Sequence, residues 1–154
     1  MSDSDYQWLA DTGSVTAWLQ ALPPDAPIHL DTEFMREREF HARLALVQVR
    51  AGERRAFIDP TGIEPDSLAP LVRGRHLVMH GCSEDLEVLY QNTGLLPARL
   101  EDTQIAAALA GDALQCSYQR LVDTWLGVAL PKGETRTDWL QRPLSPEQLH
   151  YAAQ

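Results

Sequence analysis

The stretch Ile28-His29-Leu30-Asp31-Thr32-Glu33-Phe34 constrains this chain most. Strand side chains point alternately to the two faces of a sheet. Ile28, Leu30, Thr32 and Phe34 therefore share one face, and His29, Asp31 and Glu33 share the other. The apolar set demands a core beneath it. Two acids side by side on the opposite face repel each other and lose hydration if the site is partly closed. A hard divalent cation such as Mg²⁺ or Mn²⁺ offsets both costs, because such ions prefer oxygen ligands. Taken alone, the pair is equally the solvated acidic face of a half-exposed strand.

The chain around it has 154 residues, 44% hydrophobic and 23% charged, enough for one domain with its own core. No run approaches the roughly 18 apolar residues of a membrane span, and the N-terminus lacks a signal peptide's basic start and apolar middle. Cys82 and Cys116 are too few and too far apart for a zinc cluster or a disulfide scaffold, so a reduced, cytoplasmic setting is expected. The net charge of −9 argues against holding nucleic acid by bulk electrostatics. It leaves room for a site that reaches phosphate through bound metal and a few local cations. Lys132 is the one lysine, and every other basic residue is Arg, the better phosphate fork.

Tyr6–Leu9 reads as a short edge strand. A helix capped by Ser14 or Thr12 follows to about Leu22, with Val15, Trp18, Leu19 and Leu22 at helical spacing. Leu44–Val49 and Ala56–Asp59 read as strands joined by a turn at Ala51-Gly52-Glu53, which with the acidic strand makes an antiparallel meander. A helix around 65–72 and a fourth strand, Leu77–His80, come next. From there strands alternate with helices, so the expected fold is α/β, a mixed sheet with helices on its faces. In the helix expected after an N-cap at Ser83, Leu86, Leu89 and Tyr90 fall within one arc. Glu84, Glu87 and Gln91 lie opposite, and Asp85 sits at the margin, leaning towards the sheet. Leu100–Gln104 is expected to open a helix over Ile105–Ala110, capped by Asp102 or Thr103. Ser117 starts another helix, ended by Gly127. Asp102 and His80 read as structural. Residues 132–139 form a polar loop with Lys132 and Arg136 in its first half. Ser145 and Gln148 make a capping box with Pro146 at the first helical position. The helix they start reaches the last residue without a C-cap, as if cut.

Asp31-Thr32-Glu33-Phe34, then His80-Gly81-x-Ser83-Glu84-Asp85-Leu86-Glu87, Asp102-Thr103-Gln104, Arg136-Thr137-Asp138-Trp139-Leu140 and Tyr151-Ala152-Ala153 stand in one order. From about Ile28 onward the sequence resembles the ribonuclease D family among DEDD-type 3′-to-5′ exonucleases. The resemblance implies a ribonuclease H-like fold, two divalent ions (Mg²⁺ or Mn²⁺) and hydrolytic removal of 3′-terminal nucleotides from RNA with a free 3′ end, as in tRNA precursor processing. It carries metal-ligand roles to Asp31, Glu33 and Asp85, and a water-orienting role to Tyr151. In a two-metal site one ion activates the attacking water and the other stabilises the leaving oxygen. Phe34 and Met35 are candidates to wedge the terminal base, with core packing as their other reading. Lys132 and Arg136 are candidates for phosphate contact. The family pattern places a fourth carboxylate four residues beyond the tyrosine, just past Gln154, so the chain reads as a catalytic domain lacking that Asp and the helical domains beyond. Two other classes stay open: a catalytically impaired RNA-binding module, and a DNA-directed 3′-to-5′ exonuclease on the same fold.

Overall fold

A computed structural model describes residues 6–36, 41–130 and 137–154. In chain order the elements are β1 (Gln7–Leu9), α1 (Thr12–Gln20), β2 (Ile28–Met35), β3 (Arg43–Ala51), β4 (Arg54–Ile58), α2 (Ala69–Val72), β5 (His76–Met79), α3 (Ser83–Thr93), β6 (Arg99–Asp102), α4 (Thr103–Leu109), α5 (Tyr118–Leu126) and α6 (Pro146–Ala152). The sheet order is β1-β4-β3-β2-β5-β6. β2, β3 and β4 form the expected antiparallel meander, while β1–β4, β2–β5 and β5–β6 pair parallel.

The alternation in β2 places Ile28, Leu30 and partly buried Phe34 on the larger core, with Val15, Trp18 and Leu19 of α1 and Val88 and Leu89 of α3. The opposite face carries a smaller core of Ala45, Leu46, Phe57, Trp139, Leu144 and Ala152, against which Met35, Leu149 and Tyr151 pack. α6 therefore covers the face that bears Asp31 and Glu33. A shift in the β2–β3 register at Glu33/Phe34 marks the end of regular pairing beside the acids.

Several expectations need correction. The residues that open the fourth helix, expected from Leu100, first form strand β6 against β5. Arg, Glu and Asp are weak strand formers, so pairing rather than local preference decides this segment. α1 is capped by Asp11, whose Oδ1 accepts from Ser14 N–H while Ser14 Oγ donates back to the Asp11 carbonyl. Cys82, not Ser83, occupies the N-cap of α3 and makes no side-chain cap bond. The Cys82 thiol donates to Asp102 Oδ2 instead, and that carboxylate also accepts from the Gly81 and Cys82 amides. The helix expected over 65–72 splits into a 3₁₀ turn at Pro65–Leu68 and the single turn α2, with Pro70 at the junction. The caps at Ser117, Gly127 and Ser145 stand as expected. Among the described residues no helix is long and apolar enough to cross a membrane.

Candidate active site

Parallel pairing between β2 and β5 covers only Ile28–Leu77 and His29–Val78. Beyond His29 the strands part, and Asp31 and Glu33 lie in the part of β2 that has no neighbour on that side. Crevices at the carboxyl ends of parallel strands are where open α/β sheets bind ligands. The turn after β5 brings α3 back over this gap. Gly81 makes that turn at φ +60°, a left-handed conformation suited to glycine, and a Cβ there would stand 3.2 Å from the Gln104 amide nitrogen. The Asp102 carboxylate fixes the turn by accepting from Gly81 N–H at 2.9 Å and Cys82 N–H at 3.1 Å. Burial alone would raise Asp102, but these bonds outweigh it and hold the group down at about 2. His80 is equally committed, with Nδ1 2.9 Å from Thr103 Oγ1 and Nε2 2.9 Å from the Cys116 carbonyl oxygen.

The turn delivers Asp85 in the first turn of α3, buried as its marginal position on the helix implies. Its Oδ1 accepts a hydrogen bond from Thr32 Oγ1 at 2.5 Å. Thr32 is itself buried on the larger-core face of β2, the face that α3 covers, so the residue between the two strand acids holds the helix acid. Glu33 Oε1 accepts from Gln48 Nε2 at 3.3 Å, and Gln48 stands opposite Asp31 in the β2–β3 register.

The electrostatics follow from crowding. Burial, and then the charge of Asp85, pushes Asp31 up to about 6. Asp31 keeps solvent contact, as a carboxylate on the floor of a cleft is wetted from one side while protein hems the others. Burial and then Asp31 push Glu33 up to about 8. Asp85 is also raised, by burial first, against the hydrogen bond from Thr32. Half-buried Tyr151 on α6 is raised by burial and then by Glu33 and Asp31, which places its phenol beside the same acids and keeps it protonated near neutrality. Its ring lies 5.9 Å from that of Trp139, and the end of its helix is tied down by Tyr6 Oη donating to the Ala153 carbonyl at 3.2 Å.

Asp31 and Glu33 thus share one stretch of β2, Thr32 ties Asp85 to it, and Tyr151 lies on the helix that covers the same face. Phe34 packs against the larger core and Met35 against the smaller, each half-exposed. Lys132 and Arg136 lie outside the described residues. Thr32, Gln48 and Arg142 went unnoticed in the sequence. Gln48 had a signal, as the one polar residue in the apolar run Leu44–Val49.

The donor set fits a divalent cation by its chemistry: three hard carboxylate oxygens donors whose charges oppose one another. Among the described residues no three such side chains are already gathered as metal ligands.

A family model described as 3′-5′ exonuclease matches residues 6–154. The chain is 48% identical over 151 residues to ribonuclease D of Xanthomonas oryzae pv. oryzae, covering 95% of this chain and 41% of that protein. It is 43% identical over 152 residues to ribonuclease D of Pseudomonas paraeruginosa, covering 97% and 40%. The crystal structure of Escherichia coli RNase D, described as an exoribonuclease involved in structured RNA processing, superposes with a TM-score of 0.89 at 40% identity, covering 96% of this chain and 40% of that one. The chain thus spans about two fifths of the length of these relatives. The order of motifs, the mixed sheet and the acids at its open end agree with these likenesses, and the chain belongs to the 3′-5′ exonuclease domain family, with ribonucleases D as its relatives.

Proposed function

We propose that the chain is the catalytic part of a metal-dependent 3′-to-5′ exoribonuclease acting on RNA with a free 3′ end. The observation that carries this reading is the placement of Asp31 and Glu33 on the length of β2 that β5 leaves unpaired, with Asp85 of α3 bonded to Thr32 between them. Asp31, Glu33 and Asp85 would hold Mg²⁺ or Mn²⁺, which when bound would supply Lewis-acid activation of water and neutralise charge on the phosphate. Tyr151 orients the attacking water by hydrogen bond, since a phenol raised above its ordinary value is a poor base at neutral pH. The exposed parts of Phe34 and Met35 lie next to the acids along β2 and offer apolar surface to the terminal base. Lys132 and Arg136 contact phosphate.

The test is digestion of a 5′-labelled RNA with the 154-residue chain and Mn²⁺ or Mg²⁺. A ladder shortening one nucleotide at a time from the 3′ end, absent with chelator and absent from Asp31→Asn, supports the reading. Digestion that is unchanged in Asp31→Asn overturns it. A DNA oligonucleotide of the same sequence, degraded equally well, would remove the RNA preference, since the 2′-hydroxyl is the handle that distinguishes the two.

A further inference from the structure

We propose that Thr32 and Gln48 are positioning residues that set two of the acids for the cation, an inference that rests on the metal-dependent reading above. Each side chain is hydrogen-bonded to an acid other than the one beside which it is most obviously placed. Thr32 lies between Asp31 and Glu33 in sequence, yet its hydroxyl points to the face that α3 covers and donates to Asp85, 53 residues away. Gln48 lies opposite Asp31, yet its amide donates to Glu33. Each brace occupies one carboxylate oxygen, Asp85 Oδ1 and Glu33 Oε1, and a carboxylate so held still has the lone pairs of its second oxygen to offer.

Both braces are built into rigid surroundings. Thr32 is 6% exposed and Gln48 8%, in the middle of paired strands. A β-branched threonine has few rotamers to choose from, so its hydroxyl direction is set by the strand. Gln48 sits where its neighbours Leu46, Val47 and Val49 are apolar and buried. Its Oε1 is buried with no hydrogen-bond partner among the described residues. An unpaired buried carbonyl costs free energy that leucine or methionine would avoid. Packing therefore does not account for a glutamine here, whereas its N–H end, aimed at Glu33, does. Residues that hold ligands in this way matter to metal affinity by about ten- to a hundredfold.

The experiment measures Mn²⁺ binding to the 154-residue chain by calorimetry and by loss of the free-ion paramagnetic signal, with no substrate present. Thr32→Val keeps the shape and removes the hydroxyl, and Gln48→Met keeps the length and removes the amide. Each is expected to weaken Mn²⁺ binding about ten- to a hundredfold. Thr32→Ser restores the hydroxyl and should bind within about twofold of the parent by the same reasoning. Melting of the metal-free proteins separates the alternatives: a merely structural role lowers the melting temperature while the folded chain keeps its affinity. Valine and methionine variants that fold and bind Mn²⁺ like the parent overturn the proposal and leave the proposed function standing. A parent chain that binds no Mn²⁺ overturns the metal reading itself and the braces with it. The two variants alter different strands, so Gln48→Met decides the matter where Thr32→Val fails to fold.

Discussion

Two groups of acids sit on this sheet and have opposite fates. Asp59, at the end of β4, is 7% exposed and fully answered. Arg142 grips it with Nε at 2.7 Å and Nη2 at 2.8 Å, and Thr61 donates to it from both its amide and its hydroxyl. Burial would raise this carboxyl, but these bonds outweigh it and hold the group below its ordinary value. Arg142 also donates to the carbonyls of Ala45 and Trp139 and lies over the Trp8 ring, so the pair fastens the segment leading to α6 onto the sheet. Among the described residues Asp31, Glu33 and Asp85 have no salt-bridge partner, and all three are raised, not lowered. The same chemical group is held down where an arginine neutralises it and pushed up where burial and other acids crowd it. Perturbation of this second kind is what marks functional sites.

The sharpest way to break the contrast is Asp31→Asn. Losing a ligand removes several kcal/mol of transition-state stabilisation, a rate loss of roughly a thousandfold or more. The labelled-RNA assay reads it, and the metal-free protein should melt no lower than the parent, because one of three mutually repelling charges is gone. Arg142→Ala does the reverse. It leaves Asp59 buried and unpaired, and should cost about 3 kcal/mol in denaturant unfolding. Arg142→Lys should recover only part of this, since an ammonium cannot reproduce the two-nitrogen grip.

Ser145→Ala tests the same division at the helix that carries Tyr151. Ser145 Oγ accepts from the Gln148 amide, and the Gln148 side chain accepts from the Ser145 amide in return. Losing the cap should cost about 1 kcal/mol and expose the Tyr151 amide to faster hydrogen exchange, while Mn²⁺ affinity holds. The smallest effect is in pH dependence. Asp59 is lowered, so its stabilisation is present above its unfolded value and is lost as pH falls through its lower folded one. Asp31 and Glu33 are raised, so their contribution is fully present below about 4. It is lost as pH rises through about 6 and about 8. In chelator the parent should therefore melt slightly higher at pH 5 than at pH 8, and an Asp31→Asn, Glu33→Gln double variant should flatten the difference. Solvent contact at Asp31 keeps this effect modest. A parent that melts higher at pH 8 without metal would mean that the acids are not crowded.

How far the sequence reaches can be read from single residues. Alternation alone puts Asp31 and Glu33 on one face of β2, because side-chain direction in a strand is a local property. Helical periodicity likewise puts Asp85 at the margin of α3, and the boxes and caps at Ser145, Ser117 and Gly127 act within a few residues of themselves. Each depends on backbone geometry that neighbours in sequence already define. Tertiary structure decided the rest. β6 is a strand only because β5 lies beside it, and the turn into α3 is fixed by Asp102, which accepts from the Cys82 amide 20 residues back. The partings and pairings that matter most to the site are longer still: Thr32 with Asp85 across 53 residues, and Arg142 with Asp59 across 83. Nothing in local pattern says which acid will meet an arginine and which will lie beside other acids. That choice is made when the chain closes, since burial and partner together set the energy of a charge, and both are properties of the folded molecule.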